Sequence, residues 1–87
     1  MKIPKSFQLA GAKWTVEKRP KLGDLGLTHR DDFLIQLGSE QSKISKEITF
    51  CHELVHAIKY TMGIDNHNEQ EVDAFAQLLH QVWTSMK

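Results

Sequence analysis

The chain has 87 residues, 40% of them apolar, and its eleven basic and eleven acidic side chains cancel to a formal net charge of zero. That length makes a single small domain, 1–87, which buries only about 60–65% of its unfolded surface and would gain from a bound metal. Zero net charge without a long basic run argues against a nucleic-acid partner, the single cysteine excludes an internal disulfide, and no run approaches the ~18 apolar residues of a membrane span.

Met1–Ser6 carries charge but lacks the apolar stretch of a secretory signal. These features predict a cytoplasmic protein, monomeric or weakly oligomeric, with neither a membrane nor a nucleic-acid partner. In residues 6–19, Phe7 and Leu9, then Trp14 and Val16, alternate with polar neighbours around Ala10-Gly11-Ala12, which predicts a hairpin. Pro20 ends its second strand. Residues 20–31 read as a loop tied down by Leu22, Leu25 and Leu27, with a short strand near Leu25–Thr28. Phe33–Leu37 is the clearest strand by composition and ends at Gly38-Ser39. The N-terminal half therefore predicts three or four short strands in a small, mostly antiparallel sheet.

From residue 43 the period changes. Ile44, Ile48, Cys51, Leu54, Val55, Ile58 and Met62 fall within about 120° of one another on a helical projection, which predicts an amphipathic helix over 43–62. Ser42 or Ser45 caps its start and Gly63 follows its end. Asn66 or Asn68 caps a second helix, whose stripe is Val72, Phe75, Ala76, Leu79, Val82, Trp83 and Met86. The expected fold is α+β, the sheet packed on two long helices.

The first helix carries Cys51-His52-Glu53-Leu54-Val55-His56, which contains His-Glu-x-x-His. Residues four apart lie nearly above one another, so His52 and His56 project together and can bind one divalent ion, while Glu53 lies within reach of a water held there. Both histidines fall beside the apolar stripe. On the second helix Glu69 and Asp73 occupy the equivalent edge, so a helical hairpin brings the two sets face to face. A catalytic zinc keeps three protein ligands and one open position. Glu69 is the best third ligand, with His67 and Asp65 as weaker alternatives. Asp73 is placed to accept the free ring N–H of a ligand histidine. Lys59 and Met62 occupy the positions where a metzincin has its glycine and third histidine. Cys51 points into the apolar stripe as a small buried hydrophobe. His80, about 16 Å along the helix from Glu69, cannot join the same ion.

The motif together with Glu69-Gln70-Glu71-Val72-Asp73-Ala74-Phe75-Ala76 resembles the ImmA/IrrE group of metallopeptidases and the short zincin-like proteins of phages and prophages. The Glu-x-x-x-Asp spacing is also similar to the gluzincin pattern. The likeness covers about residues 33–83. It implies a minimal zincin-like fold, a Zn2+ cofactor held by His52, His56 and Glu69, and Glu53 as the base in peptide-bond hydrolysis. It further implies an extended substrate held along an edge strand, here assigned to Phe33–Leu37. Tyr60 or His67 is a possible donor to the transition-state oxyanion, with His29 and Arg30 as further loop candidates. Two functions stay open at this stage. One is a small zinc metallopeptidase, phage- or prophage-encoded, acting on a specific protein or peptide in the host cytoplasm. The other is a zinc-stabilised interaction module with little or no turnover.

Overall fold

In the computed structural model, which describes residues 1–86, four strands precede two helices. β1 (Ser6–Leu9) and β2 (Ala12–Arg19) form the expected hairpin, with Phe7 opposite Trp14. Ala10 and Gly11 turn the chain with φ of 50° and 82°, the positive pair that matches the twist of a two-residue hairpin. β3 (Gly26–His29) and β4 (Leu34–Gly38) pair antiparallel through a single 3-10 turn at Arg30–Asp32. That turn ends with Phe33 in the left-handed region, at φ 49° and ψ 53°. The strand therefore begins at Leu34, one residue later than composition predicts, and Phe33 lies edge-on against Trp14.

The sheet order is β1-β2-β4-β3. β4 inserts beside β2 in parallel, while the other two pairings are antiparallel. The sheet is thus mixed and mostly antiparallel, within an α+β fold as expected.

α1 (Lys43–Thr61) starts at Ser42, whose hydroxyl accepts from the Ser45 N–H at 3.1 Å. Gly63 follows it at φ 81°, the left-handed residue that commonly ends a helix. α2 (Glu69–Ser85) starts at Asn68, whose side chain accepts from the Glu71 N–H at 3.0 Å. α1 packs on β3 and β4 on one side and on α2 on the other. Its Phe50 and Ala57 join Trp14, Ile35 and Leu37 in the main core, with Trp83 of α2 closing over Phe50. Cys51 and Val55, further round the helix, are buried as well, together with Val72 and Ala76 of α2.

This two-sided burial corrects the single stripe expected of α1. Ile44 and Met62 run past their neighbours and are exposed, whereas Glu47 and Glu53 are buried. A one-stripe projection describes a helix covered on one face, and α1 is covered on two. α2 shows the converse. Only its edge around Val72, Ala76, Leu79 and Trp83 is covered, and Phe75 and Val82 stay more than half exposed.

β3 approaches α1 closely because of Gly26. A Cβ there would stand 2.6 Å from Thr49 Cγ2 and 3.0 Å from Glu53 Cγ. Only glycine brings this strand so near the residue that follows His52.

Candidate metal centre

His52 and His56 stand one turn apart on α1, and Glu69 meets them from the first turn of α2. The His52 Nε2 and His56 Nε2 atoms are 3.1 Å apart. Glu69 Oε2 lies 3.3 Å from the first and Oε1 lies 3.4 Å from the second. One ligand atom from each of the three falls within 4.8 Å of the others, so the expected set converges on one point. Both histidines are largely sheltered, and Glu69 is open to solvent.

The hydrogen bonds behind the rings assign their tautomers. Asp73 Oδ1 lies 2.8 Å from His52 Nδ1. A carboxylate only accepts, so Nδ1 carries the proton and the lone pair of neutral His52 sits on Nε2. His56 Nδ1 lies 2.6 Å from His67 Nδ1, and His67 Nε2 lies 2.6 Å from the Ile64 carbonyl. The carbonyl takes the His67 Nε2 proton, so His67 Nδ1 must accept and His56 Nδ1 must donate. His56 therefore also presents an unprotonated Nε2 to the cluster. Burial, the largest cause, holds its pKa below the ordinary value and favours that neutral form. With both rings neutral, two nitrogen lone pairs and a carboxylate converge, a donor set that suits a cation. The residues present fit a metal.

Glu53 is buried beside the cluster. Its Oε1 accepts from Thr28 Oγ1 at 2.8 Å, and the same hydroxyl lies 3.0 Å from the Glu53 carbonyl. Burial pushes the Glu53 carboxyl above its ordinary value, the Thr28 bond and His52 oppose that rise, and Glu69 and Asp24 add to it. A cleft of about 360 Å³ opens here, lined by His52, Glu53 and Asp73 together with Gly26, Ile48 and Thr49.

Other expected residues fall elsewhere. His67 has both nitrogens engaged behind His56, which leaves none for an oxyanion. It also stands behind His56 and outside the His52, His56 and Glu69 cluster. Tyr60 stacks near His56 and His67, under the Arg30 guanidinium 5.1 Å from its ring centre. Arg30 also pairs with Asp65, which occupies the other alternative ligand. His29 bonds Gln36 at 2.6 Å. Neighbouring strand residues point to opposite faces, so His29 faces away from Glu53 while Thr28 faces it. Cys51 is buried as expected, and burial pushes its thiol up to about 11. His80 stands apart from the cluster and bonds Glu47 at 2.8 Å.

The edge-strand assignment needs correction. β4 is bonded to β2 on one side and to β3 on the other, so Phe33–Leu37 has no free edge to offer. The edge strand beside Glu53 is β3.

No protein-family model, no curated protein and no solved structure matches this chain. No helix among the described residues is long and apolar enough to cross a membrane.

Proposed function

We propose that the chain is a small zinc-dependent metallopeptidase of the His-Glu-x-x-His type, with a glutamate as third ligand. The observation that carries this reading is the convergence of His52 Nε2, His56 Nε2 and the Glu69 carboxylate, with Asp73 and His67 taking the ring protons on the far side. Two neutral imidazoles and a carboxylate are the donor set of the His-His-Glu zinc sites. The resemblance to the ImmA/IrrE group and the phage zincin-like proteins points the same way.

A zinc ion held there would polarise a peptide carbonyl and ready a water for attack. Glu53 supplies what the ligands do not. Its carboxylate takes the proton of the attacking water and delivers it to the leaving amine. Burial makes it a stronger base than an exposed glutamate, and Thr28 fixes its orientation. The substrate is a protein or peptide laid extended along the outer edge of β3, where backbone N–H and C=O groups are free to pair with it. The site of action is the cytoplasm, the host's if the gene belongs to a phage.

Glu53→Gln tests the reading. The amide cannot take the proton, so metal-dependent cleavage falls by about 10²–10⁴ while zinc binding and fold persist. Lysate proteins incubated with wild type and variant provide the assay. Wild-type cleavage that the variant lacks supports a peptidase. Equal behaviour of the two proteins supports the alternative, a zinc-stabilised interaction module.

A further inference from the structure

At the other end of α1 the charge is reversed. A cleft of about 840 Å³, the largest of those described, is walled by Lys2, Lys5, Lys18, Lys43 and Lys46. They come from the N-terminal segment, the end of β2 and the start of α1. The only acidic side chain lining the cleft is Glu47. That carboxylate is buried and already engaged, by His80 and by the Met1 amine 3.5 Å away. Among the described residues none of the five lysines forms an ion pair, whereas Lys59, beside the metal cluster, does.

Two of the five sit where a helix disfavours them. Lys43 opens α1, Lys46 follows one turn on, and the first turn contains no acid. The helix N-terminus carries partial positive charge, so cations there cost stability and anions add it. A bound anion reverses the sign of that cost. The zero net charge thus hides a lysine-rich cleft at one end of α1 and an acidic one, with Asp24, Glu53 and Asp73, at the metal cluster.

We propose that the lysine cleft binds the phosphate groups of a polyanion, either a nucleic-acid strand or a free polyphosphate. Lysine meets phosphate as a point charge, and five ammonium groups around one cleft match the repeated charge of a polyphosphate backbone. The remaining wall is apolar or small, with Ile3, Pro4, Thr15 and Val16. It has no aromatic ring to stack a base and no amide to read one. Binding is therefore independent of sequence and sensitive to salt.

The test is fluorescence anisotropy of the full chain with a labelled single-stranded oligonucleotide, with inorganic triphosphate and polyglutamate as competitors. Five neutralised phosphates predict a loss of about 10² in affinity between 50 and 200 mM salt. The double variant Lys43→Glu, Lys46→Glu loses about tenfold or more at low salt. It also melts no lower than wild type, because acids suit a helix start. Lys13→Glu, an exposed site on β2 outside the cleft, binds as wild type does. Weak competition by triphosphate identifies a strand as the ligand, and strong competition identifies a compact polyphosphate. The proposal is overturned if no binding appears at 50 mM salt. It is equally overturned if polyglutamate competes as well as the phosphates, if the double variant binds normally, or if EDTA abolishes binding, which would place the anion on the metal centre.

Discussion

The two imidazoles proposed as ligands owe their orientation to residues outside the cluster. Asp73 fixes the His52 ring, and the His67–Ile64 carbonyl chain fixes the His56 ring. Such partners orient a ligand and raise its basicity, so Asp73→Ala and His67→Ala should each weaken zinc binding by about 10–100-fold. Competition against a chromophoric chelator measures this, and unchanged affinity in both variants would leave the tautomer argument without consequence. The sequence disclosed these residues unevenly. His52, His56, Glu69 and Asp73 were legible because helical periodicity converts spacing directly into direction. His67 was visible as a nearby histidine, but its place behind His56 depends on the loop between the helices, which has no period to read. Thr28 gave no signal at all, since a threonine in a strand is ordinary and only the fold brings it to Glu53.

At the scale of elements, the hairpin and both helices followed from local pattern, and each N-cap was narrowed to two candidates, of which Ser42 and Asn68 serve. The sheet order did not. That β4 enters between β2 and β3 is a long-range pairing, and a short apolar strand reads the same at an edge or in the middle. The same blindness hid the Glu47–His80 pair that ties α1 to α2, because Glu47 lies within the apolar side of its helix. The His80 hydrogen bond, chiefly, holds the Glu47 carboxyl below its ordinary 4.5. A lowered folded value means that the unfolded chain takes up the proton first as the pH drops. The stabilisation is therefore present above about pH 4.5 and lost as the pH falls through the folded value. Melting temperature followed from about pH 5 to about pH 3 should fall more steeply for wild type than for Glu47→Gln. Equal slopes would mean that the pair contributes nothing to folding.

For the whole molecule, size and metal are linked. A chain of 87 residues forms a modest core, and an ion that binds only the folded state adds its binding free energy to stability. Free zinc at about a hundred times its Kd adds about 2.7 kcal/mol, which in a domain of this size raises Tm by roughly 10–20 °C. A chelator should remove that increment, and an unchanged melt after proven zinc removal would break the link. The most direct measurement is a calorimetric zinc titration of the metal-free protein beside Glu69→Ala. The account predicts one zinc per wild-type chain, and a variant that stays folded but binds more than about 100-fold more weakly, a loss exceeding that from either supporting residue. Full zinc affinity in Glu69→Ala, or no zinc bound by the wild type, would contradict it.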